Sequence, residues 1–164
     1  MRYLVVGPRG AGKTTLIRAL VGCGGKAAKT QMIECTGAAL DTPGEYLELP
    51  RFYRALLVTA QQADVVLWVT AAAGPHFRPP PGFASSFCRP VLGVITKTDV
   101  PGASLKAASE ELALAGVEEP YFTVSALTGY GLAALAANLE SFRAGPGKAH
   151  GGGEEHRGKD GGSG

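Results

Sequence analysis

A chain of 164 residues that is 45% hydrophobic and 18% charged carries enough apolar content for one core and does not have the composition of a disordered protein. Its net charge of +2 is too small to draw nucleic acid or an anionic membrane by electrostatics alone. No apolar run reaches the ~18 residues of a membrane-spanning helix; the stretch after Met1 and Arg2 is too short for a signal-peptide core; Cys23, Cys35 and Cys88 form no Cys-x-x-Cys pair, so reduced thiols in a cytoplasmic protein are expected.

In chain order, Tyr3 to Val6 reads as a β-branched strand and Lys13 to Val21 as a helix. Gln31 to Cys35 and Ala38 to Leu40 read as short strands around a Thr36-Gly37 turn. Pro50 suits the first position of a helix running to Gln62. Asp64 to Thr70 and Val91 to Thr96 are nearly continuous apolar strands. Ser104 is placed as the N-cap of a helix that ends near Gly116. Tyr121 to Val124 is the last strand and Leu132 to Phe142 the last helix. From Ala144 onward, nine of the 24 glycines gather with charges that cancel, and a disordered tail is expected over 144–164. The globule is therefore residues 1–143.

Apolar strands alternating with helices predict a mainly parallel sheet covered on both faces. Ligands of such sheets sit at the carboxyl ends of the strands, and each strand here is followed by a motif. After the first comes Gly7-Pro8-Arg9-Gly10-Ala11-Gly12-Lys13-Thr14, matching Gly-x4-Gly-Lys-[Ser/Thr]. Its glycines let backbone N–H groups close on phosphate oxygens, and the following helix aims its positive end at the same anion. Lys13 is expected on the β- and γ-phosphates and the Thr14 hydroxyl on Mg²⁺, with Thr15 beside it. Arg9 stands where it could either reach the phosphates or face solvent.

Asp41-Thr42-Pro43-Gly44 supplies an Asp-x-x-Gly. Asp41 is the expected second holder of Mg²⁺, and the bare Gly44 N–H can report a γ-phosphate. Thr30 is favoured over Thr36 to close on the metal and phosphate. Thr96-Lys97-Thr98-Asp99 is the guanine motif Asn-Lys-x-Asp with threonine first. Asp99 can accept from N1–H and the N2 amine of guanine, a donor pair adenine lacks, while Lys97 lays its stem along the base. Threonine at 96 is expected to lose the amide that ties this loop to the phosphate loop. The backbone of Ser125-Ala126-Leu127, after the last strand, would meet guanine O6. The implied ligands are GTP or GDP with Mg²⁺.

This ordered set resembles the small GTPases of the translation-factor-related P-loop class. It is similar, within them, to the ethanolamine/propanediol-utilisation group, EutP/PduV. The likeness rests on Lys29-Thr30-Gln31, Asp41-Thr42-Pro43-Gly44-Glu45-Tyr46, Ala63-Asp64-Val65, Pro81-Gly82-Phe83-Ala84-Ser85, Arg89-Pro90-Val91 and Thr96-Lys97-Thr98-Asp99, over residues 1 to about 140. The resemblance implies a three-layer α/β/α P-loop NTPase fold with about six strands. It also implies a link to bacterial microcompartments, with a shell or enzyme partner there. Some members carry a shell-targeting segment before the first strand; with the first strand starting at Arg2 or Tyr3, none is expected here.

Where many small GTPases orient the attacking water with glutamine, this chain has Glu45. A carboxylate beside a γ-phosphate must be protonated, paired or turned away, so Glu45 either acts as a base in a special geometry or, the favoured reading, is not catalytic; slow hydrolysis is then the expectation, with Lys13, Thr14 and Thr30 as its machinery. Two other readings use the same loop: a phosphotransferase acting on a small acid such as acetate, and a nucleotide-binding scaffold without turnover.

Overall fold

In the computed structural model, residues 1–22 and 39–143 are described. The expected strand at Gln31–Cys35, Thr30, and the 144–164 tail lie outside them. Among the described residues five strands, against the about six expected, form one parallel sheet: β1 (Tyr3–Val6), β2 (Ala39–Asp41), β3 (Val65–Ala71), β4 (Val91–Thr96) and β5 (Phe122–Thr123), in the order β2-β1-β3-β4-β5. The register places Tyr3 beside both Ala39 and Val65, and Trp68 beside Gly93.

Helices cover both faces, as continuous apolar strands require. Alternate residues of one strand serve opposite faces. Tyr3, Val5, Val65, Leu67 and Val69 pack under α1 (Lys13–Gly22) and α5 (Leu132–Arg143). Leu4, Val6, Val66 and Trp68 pack on the other side under α2 (Glu45–Glu48), α3 (Tyr53–Ala60) and α4 (Leu105–Ala115). The α4 ends match the expected caps: the Ser104 hydroxyl accepts the Ala107 N–H at 3.2 Å, and Gly116 takes the left-handed conformation, φ +85°.

Two elements differ from expectation. The helix expected from Pro50 to Gln62 starts as a short 3-10 turn, Pro50–Phe52, before α3. The sequence also gave no notice of α2, four residues long, whose one buried side chain is Leu47. Between β3 and β4 the crossover, residues 72–90, is mostly irregular, with one 3-10 turn at Phe83–Ser86. Pro75, Pro79, Pro80, Pro81 and Pro90 withhold the N–H groups a helix would need. The segment still covers the sheet, because Phe83 and Phe87 pack edge-on to Trp68 with ring centroids 6.2 and 6.4 Å away. No described helix is long and apolar enough to cross a membrane.

Candidate nucleotide site

The strand order reverses between β1 and β3, and the carboxyl ends of these strands open a crevice there. The phosphate loop turns at this point. Gly7 has no room for a side chain, because a Cβ would collide with the Val69 carbonyl. Lys13 is only 7% exposed. Its ammonium donates to the carbonyls of Gly7 and Pro8 at 2.8 and 2.9 Å. An ammonium has three donors, so one remains for an anion in front of the loop. Burial lowers the Lys13 pKa, while the charges of Asp41 and Glu48 work to raise it.

A cavity of about 540 Å³ lies in front, lined by Arg9, Gly10, Gly12, Lys13, Thr14 and Thr15 from the loop and by Asp41 to Gly44 from the next motif. The Thr14 hydroxyl donates to Asp41 at 2.8 Å. Two oxygens from separate elements thus meet at one point, the oxygen donors a hard cation takes. Thr42, which the sequence reading passed over, fixes the turn: its buried hydroxyl donates to the Val5 carbonyl at 2.7 Å. Arg9 does not extend into the cavity alone. Its guanidinium pairs with Glu45, so the carboxylate expected near a γ-phosphate is already paired.

A second cavity, of about 450 Å³, adjoins the first and shares Gly12 and Thr15 with it. Thr96, Lys97, Asp99, Ala126 and Leu127 line it, as expected, together with Ala73 and Gly74 from the end of β3, which were not foreseen. Ser125 stands behind: buried, its hydroxyl donates to Asp99 at 2.7 Å. Asp99 is thereby held with one oxygen engaged and the other available. Thr98 adds a second tie, donating to the Val124 carbonyl at 3.1 Å. Among the described residues Lys97 is the only non-glycine with positive φ, +58°. This left-handed position costs on the order of 1 kcal/mol or more and is held by the bonds made on either side, at Thr96 and Thr98.

Thr96 corrects one expectation. The tie between the two loops is not lost with the amide. The Thr96 hydroxyl donates to the Ala11 carbonyl at 2.5 Å, in the middle of the phosphate loop. Gly12 suits this turn through its left-handed backbone, φ +84°, which a side chain would strain.

The chain matches the sequence model of the ethanolamine utilisation–propanediol utilisation family, PduV-EutP, over residues 1–141. It is 41% identical over 126 residues to a protein of Escherichia coli (strain K12) named "Probable acetate kinase EutP", covering 76% of this chain and 79% of that one. It is 38% identical over 132 residues to the propanediol utilization protein PduV of Citrobacter freundii, covering 80% and 87%. Translation elongation factor SelB of Methanococcus maripaludis, solved in complex with the GTP analogue GppNHp, superimposes with a TM-score of 0.55 at 18% identity. That match covers 88% of this chain and 34% of SelB. The shared fold is the three-layer α/β/α fold of P-loop NTPases.

Proposed function

The chain belongs to the ethanolamine/propanediol-utilisation family, PduV-EutP, and we propose that it is a guanine-nucleotide-binding protein that hydrolyses GTP slowly with Mg²⁺. One observation carries the reading. Asp99, positioned by the buried Ser125, lines a cavity that runs into the phosphate cavity through Gly12 and Thr15. A carboxylate held there favours a base with two adjacent donors, as guanine has.

Lys13 binds the phosphates with its remaining donor, and the backbone N–H groups of Gly10 to Thr15 surround them. Thr14 and Asp41 are the residues that would hold Mg²⁺; Thr30 would join them. The cation supplies charge neutralisation between the phosphates. Glu45 stands where glutamine would orient the attacking water, and its pairing with Arg9 turns one of its oxygens to the guanidinium, which supports slow turnover. The family name supports a role in ethanolamine or propanediol utilisation; a cytoplasmic place and a microcompartment shell or enzyme partner belong to the same proposal and rest on the resemblance alone.

A second reading has a specific support, because relatives at 41% identity are named probable acetate kinases. The same loop and cation would then pass the terminal phosphoryl group to a small carboxylate. The purified protein, given GTP or ATP with and without acetate, separates the readings. Phosphate release from GTP regardless of acetate supports the hydrolase. Acetyl phosphate formed only with acetate supports the kinase. Binding without either product leaves a nucleotide-binding scaffold.

A further inference from the structure

A third cavity, of about 130 Å³, lies against the phosphate loop. Residues 8–11 of the loop form one wall; Thr70, Ala71 and Pro75, from the end of β3 and the start of the crossover, form another. Arg9 and Gly10 also line the phosphate cavity, so the two cavities share a wall.

Glu111 of α4 lines this cavity as well. Its side chain is 3% exposed, and His76 Nδ1 is 3.8 Å from Oε2. Burial disfavours the carboxylate, while the Thr70 hydroxyl, His76 and the Phe77 N–H favour it. Oε1 has no hydrogen-bond partner among the described residues. A buried carboxylate oxygen that no donor meets is costly, and a cation bearing N–H groups supplies both the missing donor and the missing charge.

The rest of the lining fits a cation better than an anion. Pro8 and Pro75 bring no N–H, and the Arg9 N–H is taken by the Glu48 carboxylate at 2.7 Å. The two cationic side chains on the walls carry their charge elsewhere. The Arg9 guanidinium pairs with Glu45, and Lys97 runs toward Gly12, its Cε 3.9 Å from where a Gly12 Cβ would stand. Neither Glu45 nor Gly12 lines this cavity. His76 lines a separate surface cavity, together with Glu110. Glu111 is thus the charge this cavity offers a ligand.

We propose that the cavity binds a small primary ammonium ion, its N–H groups donating to Glu111 Oε1. Cavities of roughly 150 Å³ hold benzene, so the ligand has about two to five heavy atoms. Its occupant touches Arg9 and Gly10, and so the loop in front of which the phosphates would sit. The site does not depend on the nucleotide reading, since Glu111 lines neither nucleotide cavity.

The test titrates the isotope-labelled full chain with ethylammonium chloride at constant pH and ionic strength, with and without GDP and Mg²⁺, and follows the amide signals. Saturable shifts are expected at Ala11, Thr70 and Ala71, which line this cavity and neither nucleotide cavity. A dissociation constant of about 1–10 mM suits three heavy atoms. Sodium acetate, which has the opposite charge, and tetramethylammonium, which has no N–H, are expected to shift none of the three. Glu111→Gln removes the charge at nearly constant shape and should weaken ethylammonium at least about tenfold. Glu110→Gln, at the exposed neighbour on α4, should leave it unchanged. Shifts that persist in Glu111→Gln, that acetate gives equally, or that appear at Ala107 and Leu114 of the surface cavity instead, overturn the proposal. So does a cavity that answers no probe and holds water only. If circular dichroism shows Glu111→Gln unfolded, the contrast between ethylammonium and tetramethylammonium at those three wild-type amides decides.

Discussion

The Thr96 hydroxyl donates to the Ala11 carbonyl over 2.5 Å, joining the base-side loop to the phosphate loop across 85 positions of chain. The bond is buried, and Thr96 is 3% exposed. Thr96→Val removes the hydroxyl at nearly constant shape and leaves the carbonyl without its partner, a loss of about 1–3 kcal/mol. The expected result is a melting temperature lower by several degrees and GDP affinity weaker by about tenfold. Thermal melts and calorimetry on the same sample check both.

Lys13 spends two donors on the Gly7 and Pro8 carbonyls and offers the third. Charge-assisted bonds to phosphate are among the stronger ones. Lys13→Ala should weaken nucleotide binding by at least about a hundredfold, with circular dichroism showing that the sheet and helices persist. Retained affinity would place the phosphates elsewhere.

In the proposed guanine complex Asp99 would accept from two neighbouring N–H groups. Asparagine offers one acceptor and one donor, which complements xanthine, whose second group is a carbonyl. Asp99→Asn should lower GDP affinity by about two orders of magnitude, as expected for a lost charged hydrogen-bond pair, and raise xanthosine diphosphate affinity. Competition between the two nucleotides gives the ratio directly.

Glu45 is tied to Arg9 at the rim of the phosphate cavity. Glu45→Gln should leave GDP affinity within about twofold and turnover within a few-fold, since exposed ion pairs contribute little. Complete loss of phosphate release at unchanged affinity would make the carboxylate essential to the chemistry.

Glu111 on α4 has a side chain 3% exposed, with His76 Nδ1 3.8 Å from Oε2 and, among the described residues, no hydrogen-bond partner on Oε1. Burial raises its pKa above the ordinary 4.5, against the opposing influence of the Thr70 hydroxyl, His76 and the Phe77 N–H. The folded state therefore holds this proton more tightly than the unfolded state does, and the carboxyl costs stability as pH climbs from about 4.5 through the raised value. Glu111→Gln should melt a few degrees higher than wild type near neutral pH, and the gap should close toward pH 4.5. Melting curves across that range test the sign.

Much of the candidate site was legible in the sequence. Gly7 to Thr15, Asp41, Gly44, Thr96 to Asp99 and Ser125 to Leu127 follow strands that announce themselves by apolar runs, and parallel topology brings strand ends together whatever lies between. Contacts across the site were not legible. Nothing local distinguishes Glu48 from another helix glutamate, or Thr42 from an ordinary turn residue, because their roles depend on backbone groups 39 and 37 positions away. Ala73 and Gly74 line the second cavity through a shape that only the irregular crossover creates.

The sequence alone determined the strand–helix alternation, the caps of α4, and the place of the glycine-rich loop after β1, since these rest on local spacing and residue type. Tertiary structure decided how the pieces bear on one another. It replaced a lost amide by the Thr96 hydroxyl, paired Glu45 with Arg9, and set Glu48 against the phosphate loop. Those outcomes depend on distances between segments far apart in the chain, and burial gives the Thr96 hydrogen bond a weight that spacing cannot express.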